Sequence, residues 1–240
     1  MLTKTEGIIL QNTRYADRRS ILKVFTKQYG LVTFNAVKGK SPSSKVKAAA
    51  MMPLQYVELS FSFKQNQEVQ QLSEAGILYV FDNISRDYNK LAMAQFINEI
   101  LVRCIKEQHP NEELFEFIIS SYKWFNETEQ GYNNFHICFL IELSKYLGFE
   151  PHNNYDEHNC YFDTREGKFT TTSLGFPLGF DKIQSQHFLK IFQANLLGAA
   201  LTRGERNELL ECLLAYYKMH VAGFNEVRSF QVLKEMFDQA

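Results

Sequence analysis

Residues 56–64 read YVELSFSFK. Val57, Leu59, Phe61 and Phe63 alternate there with Tyr56, Glu58, Ser60, Ser62 and Lys64. A strict period of two over that length predicts a strand with one face in a core. Upstream, Thr5–Asn12 and Ser20–Thr26 are β-rich runs separated by a polar turn at Thr13–Arg19, and Gly30 opens Leu31–Val37, where Val32, Phe34 and Ala36 alternate with more polar neighbours. Downstream, a fifth run lies near Val69–Leu72. Five short strands in about eighty residues, with a long loop after the third, suit a small closed barrel of OB type.

Beyond Ser85 the apolar period becomes helical. Leu91, Ala94, Ile97, Leu101 and Ile105 form one stripe; Leu114, Phe117, Ile118, Ser121 and Phe125 a second; Phe135, Phe139, Leu143 and Leu147 a third. Further helices are expected around Phe188, Ile191 and Phe192 and around Leu210, Leu214, Tyr217 and Val221. A last one starts at Ser229 with Phe230, Leu233 and Phe237 inward. Stripes at this spacing are core faces. The expected fold is α+β: an N-terminal OB barrel over 1–82, then a bundle of about six helices over 83–240. An irregular hairpin excursion interrupts the bundle at 148–181, with its turn at Arg165, Glu166 and Gly167.

Composition narrows the class. The chain has 240 residues, 45% of them apolar and 22% charged, which excludes a disordered or collagen-like polypeptide. No stretch approaches the ~18 apolar residues of a membrane span, and MLTKTEG lacks a signal-peptide core, so a cytoplasmic protein without a membrane partner is expected. Cys104, Cys138, Cys160 and Cys212 contain no CxxC pair and read as reduced core cysteines.

The net charge of −1 conceals a polarised chain. Residues 1–50 hold ten basic and two acidic side chains, a net +8, against 16 basic and 25 acidic in the remainder, a net −9. A cationic segment that is also folded β structure points to a polyanion. The loop at 38–52, KGKSPSSKVKAAAMM, sets Lys38, Lys40, Lys45 and Lys47 among small residues, and its Gly, Pro and Ser content predicts a mobile first half. With Lys4, Arg14, Arg18 and Arg19, these lysines are the candidate phosphate contacts. Tyr15 and Phe34 are candidate base-stacking platforms, Phe34 standing equally as barrel core through its alternation with Val32.

Three stretches together resemble the RecO family of bacterial recombination mediators. They are TEGIILQNTRYADRRSILKVFTKQYGLVTFNAVKGK at 5–40, LGFEP at 147–151 and HVAGFNEVRSFQVL at 220–233. The resemblance implies an N-terminal OB-fold, a C-terminal helical domain and a zinc-ribbon-like insertion. It also implies binding to single- and double-stranded DNA, annealing of complementary strands, contact with RecR and with single-stranded-DNA-binding protein, and help in loading the RecA recombinase near the nucleoid. The partner's acidic-hydrophobic tail would need an apolar groove edged by Arg or Lys in the helical domain, for which Arg203 and Arg206 are candidates.

The insertion departs from the family. Where many members carry paired cysteines, this chain reads PHNNYDEHNCYFD at 151–163. His152, His158 and Cys160 are its only conventional ligands, and one residue between His158 and Cys160 is too tight for structural zinc. A metal-free insertion held by its hairpin and packing is expected, and no cofactor. No phosphate-binding loop, dinucleotide fingerprint, zinc-protease or nucleophile-elbow motif is present, so the chain reads as non-enzymatic. The alternatives are a protein-interaction scaffold and an RNA-binding OB protein.

Overall fold

A computed structural model describes residues 2–39, 41, 45–193 and 198–238, with side chains to residue 235. Lys40 and residues 42–44 of its loop, on which the expected mobile first half falls, and the Phe237 side chain lie outside this set. The chain divides into two compact units, Met1–Asn126 and Glu127–Ala240.

In the first unit, β1 (Leu2–Ala16), β2 (Arg19–Thr26), β3 (Gly30–Val37), β4 (Tyr56–Ser62) and β5 (Val69–Tyr79) close a barrel in the order β1-β2-β3-β5-β4. β3 and β5 run parallel and every other pair antiparallel, the OB arrangement. Its core gathers Leu22, Val24, Phe34, Val57, Leu59 and Phe61. Val46 and the 3-10 turn Ala49–Met51 add Ala50 and Met51 to this core.

Three details differ from the sequence expectation. β1 continues to Ala16, leaving only Asp17 and Arg18 as the turn, because Thr13 and Arg14 pair with Ile21 and Ser20 while their own side chains stay exposed. β5 runs on to Tyr79; a bulge at Ser73 shifts the phase, so that Leu72 and Ala75, three apart, are both buried. In β4, Tyr56 and Ser60 are buried on the face expected to be wet, and Tyr56 packs beside Phe115 of a covering helix.

That helix is α3 (Glu112–Glu127), preceded by α1 (Asp82–Arg86) and α2 (Tyr88–Cys104). α3 buries Leu114, Phe115, Ile118, Ile119, Tyr122 and Phe125, a stripe rotated from the expected one, and Phe117 lies at its edge. Gly30 has φ +64, and a Cβ there would stand 2.3 Å from the His109 carbonyl oxygen, so only glycine admits this approach of the α2–α3 connection. The Lys90 ammonium, buried in α2, donates to the carbonyls of Phe125 (2.9 Å) and Asn126 (3.3 Å) in the last turn of α3. The Asn126 amide oxygen in turn accepts from the backbone N–H groups of Asn83 (3.0 Å) and Ile84 (3.2 Å) in α1.

The second unit holds α4 (Phe135–Tyr146), α5 (Lys182–Gln193), α6 (Arg203–His220) and α7 (Ser229–Asp238), with a two-stranded sheet of β6 (Tyr161–Asp163) and β7 (Lys168–Thr170). The helix beyond the expected six is the single-turn α1, too short to display a period. α6 starts in a capping box in which Thr202 and Glu205 satisfy each other's backbone N–H groups. α4 is buried almost all round, and the Tyr217 hydroxyl of α6 donates to its Leu140 carbonyl at 2.6 Å.

In the insertion, Asn154 both donates to and accepts from the backbone of Phe169 (2.9 and 2.8 Å). Asp156 accepts from the N–H groups of His158 and Asn159 (2.8 and 2.7 Å). Phe162 stacks on Phe180 and meets Phe169 and Phe188 edge-on. His152 and His158 project into solvent while Cys160 is buried, so these donors do not suit a tetrahedral zinc. Among the described residues no three His, Cys, Asp or Glu side chains stand together as a metal site needs. All four cysteines are free; burial pushes the Cys104 and Cys138 thiols up to about 12.

Candidate nucleic-acid interface

At the tip of the β1–β2 hairpin, beside the end of β3, four of the candidate residues converge. Arg14 donates to the carbonyls of Ala16 and Asp17 (3.2 and 2.9 Å). Arg18 donates to the Lys38 carbonyl at 2.6 Å, and the Lys38 N–H returns a bond to the Arg18 carbonyl at 2.8 Å. Arg19 faces Val37 across the β2–β3 ladder. The tip is therefore fastened to the start of the lysine-rich loop. The other end of that loop is fastened too: Gly39 N–H bonds the Val46 carbonyl at 3.1 Å, and Val46 pairs with Ala75 of β5. Lys38 and Lys47 thus leave a braced loop base.

Between the hairpin tip and the β4–β5 loop lies the outer face of the sheet. Thr13, Ile21, Asn35 and Gln71 stand in one cross-strand row and Gln11, Lys23, Thr33 and Val69 in the next. Tyr15 reaches over this face, donating its hydroxyl to Asn35 Oδ1 at 2.9 Å with its ring 53% exposed. Asn35 in turn donates to Gln71 at 3.0 Å. Phe34 is fully buried and meets Phe61 edge-on at 4.9 Å, which makes it barrel core and corrects its reading as a stacking platform.

The cations are not equivalent. Lys4 lies on the β1–β4 flank and pairs with Glu58 at 3.0 Å; this hydrogen bond and its charge raise the lysine's pKa. Lys45 is held by Glu74. Lys27 bridges Glu112 and Glu116 of α3 (3.0 and 2.7 Å), which raise its pKa, and acts as an internal tie. Among the described residues Arg18, Arg19, Lys23, Lys38 and Lys47 make no ion pair. Among the described basic residues of 1–50, the free charge therefore sits at the hairpin tip, the loop base and the sheet face. Lys23, Ile21, Asn35 and Gln71 join the interface only through register; their outward position in neighbouring strands is the one sequence signal for them.

In the second unit, Arg203 and Arg206 are half-buried in the first turn of α6. Arg206 donates to the Leu201 carbonyl at 2.7 Å and lies near enough to the buried His136 to disfavour its protonation, a position that turns Arg206 inward. An apolar groove of about 810 Å³ runs between Phe176, Leu214, Met219 and Phe230. Lys218, Glu211 and Glu226 are among its lining residues, and Arg203 and Arg206 are not.

A closed five-stranded barrel in OB order, with a cationic hairpin tip beside its outer sheet face, defines the class: the first unit is an OB-fold domain. The family model described as Recombination protein O N terminal matches residues 1–81, and the one described as Recombination protein O C terminal matches 85–228. The chain belongs to the RecO family. It is 30% identical over 241 residues to the DNA repair protein RecO of Azobacteroides pseudotrichonymphae, covering 99% of this chain and 100% of that one. It is 29% identical over 246 residues to that of Phocaeicola vulgatus and 31% over 247 to that of Flavobacterium psychrophilum, with the same coverage. No helix among the described residues is long and apolar enough to cross a membrane.

Proposed function

We propose that the protein is a non-catalytic mediator of recombinational repair that binds single- and double-stranded DNA on the outer sheet face of its barrel. The observation that carries this reading is the cluster of unpaired cations at the braced hairpin tip and loop base, beside a sheet face that presents amides and hydroxyls. Lys38, Lys47, Arg18 and Arg19 grip phosphates, Lys40 adds to them, Lys45 joins by exchanging Glu74 for a phosphate, and base edges stay turned outward. Screening strand charge while leaving bases exposed favours annealing. RecR, single-stranded-DNA-binding protein and, through them, the RecA recombinase are the partners we assign on family grounds, with the nucleoid as the place of action.

Gel shifts on single-stranded DNA, duplex DNA and RNA of one sequence test this, with an annealing assay alongside. With five or six phosphates neutralised on a single strand, log K should fall against log[salt] with a slope of about −4. Alanine at Lys38, Lys40, Lys45 and Lys47 should flatten the slope. An unchanged slope places the DNA elsewhere, and a preference for RNA supports the RNA-binding reading instead.

A further inference from the structure

At the far end of β3 from the cationic tip, the β2–β3 turn, the β4–β5 loop and the α2–α3 connection enclose a cavity of about 140 Å³. This is well under the ~300–1,000 Å³ of a drug-sized site. One wall is aromatic. Phe63 lies 5.0 Å from Tyr29 at 32° and yet is 45% exposed, so the ring is backed by tyrosine and still accessible. Tyr29 is itself braced edge-on by Phe61 of the barrel core at 5.5 Å.

The rest of the lining is amide. Gln70, buried, spends its side chain on the Lys64 N–H (3.0 Å) and on the carbonyls of Lys64 (2.9 Å) and Gln67 (2.6 Å), which locks the β4–β5 loop. Gln65, Gln67 and Gln108 are exposed, with amides unengaged among the described residues. Among the described residues no lysine or arginine lines the cavity, and Glu68 does. Such a place repels a phosphate. An aromatic platform with amide and carboxylate groups around it matches the π-face and polar edge of a base.

We propose that this cavity receives one unstacked nucleobase, laid on Phe63, of a strand whose backbone is held by the cationic tip. The inference rests on the DNA-binding reading above. Leu31 at the cavity and Val37 at the tip are the two ends of the exposed row on β3, about 20 Å apart at strand rise. The strand crosses that face and leaves by inserting a base, which favours single strands, since a paired base is unavailable to the pocket.

Equilibrium binding by fluorescence anisotropy on a thymidine oligomer, an abasic oligomer of equal length and a duplex tests this with the full chain. Phe63→Ala should weaken binding to the thymidine oligomer about 5- to 150-fold. It should leave the abasic and duplex affinities within about twofold, and the salt slope unchanged, because no phosphate contact is lost. Phe63→Tyr should restore the affinity. An unaltered thymidine affinity in Phe63→Ala, while alanine at Lys38 and Lys47 weakens binding, overturns the base pocket alone. An equal loss on the abasic oligomer overturns it too, by showing that the ring shapes the loop rather than stacking a base. If the lysine variants leave every affinity unchanged, the cationic site fails and the base pocket falls with it.

Discussion

Arg18 and Lys38 are joined from both directions: the guanidinium of Arg18 donates to the Lys38 carbonyl at 2.6 Å, and the Lys38 N–H donates to the Arg18 carbonyl at 2.8 Å. Each therefore holds a cation of its neighbour's segment in place, and the two roles separate by mutation. Lys38→Ala keeps both bonds and removes one charge, so the single-strand salt slope should become shallower by about 0.7. Arg18→Ala removes a charge and one of the two bonds that fasten the loop, and should cost more affinity at every salt concentration than Lys38→Ala does. Lys4→Ala, which only strips a partner from Glu58, should leave the slope within error. Titrations at several salt concentrations check all three, and a full-sized effect of Lys4 would mean that its ion pair opens to admit DNA.

The buried Lys90 binds the last carbonyls of α3, where an ammonium also meets the negative end of the helix. Lys90→Met keeps most of the volume but leaves those carbonyls without a charged donor. It should cost about 1.5–3 kcal/mol of stability, read as a lower urea midpoint with unchanged m value.

Burial, with Arg206 adding to it, pushes the His136 imidazole from 6.5 down to about 3. Between these values the unfolded chain binds a proton that the folded chain refuses. The contribution of this group is therefore complete above about pH 6.5 and is lost as pH falls, by about 1.4 kcal/mol per unit. His136→Leu should show a shallower loss of stability between about pH 6.5 and about pH 5 in urea titrations, since its unfolded state gains no proton there. Parallel slopes for the two proteins would contradict a buried neutral imidazole.

In the insertion, the Asn154 side chain does for β7 what a neighbouring strand would do. Asn154→Ala should destabilise the hairpin by about 1–3 kcal/mol, seen as faster amide exchange at Phe169. A chelator should leave the melting temperature unchanged, and stoichiometric zinc in the purified protein would contradict the expectation of a metal-free insertion.

The barrel was legible because side-chain alternation is a local consequence of strand geometry: 56–64 announces β4 wherever its partners lie. The same logic failed where geometry broke its own period, at the Ser73 bulge, and where a second layer covered a face that alternation leaves wet, at Tyr56 and Ser60. Phe34 shows a related ambiguity, since one residue's alternation cannot say which face closes inward. The cavity at Phe63 and Tyr29 was not legible, because its walls come from three separate connections.

From the order of residues alone came the strands, most of the helices and the accumulation of positive charge in the first fifth of the chain, since spacing and counting need no partner. Folding decided which charges remain free. Lys4 meets Glu58 at a separation of 54 residues, and Lys45 meets Glu74 at 29. Those encounters are set by barrel closure and register, which bring distant carboxylates within reach of some lysines and leave Arg18, Arg19 and Lys38 without an acidic partner among the described residues, while Arg14 meets Asp17 at 3.5 Å within the tip.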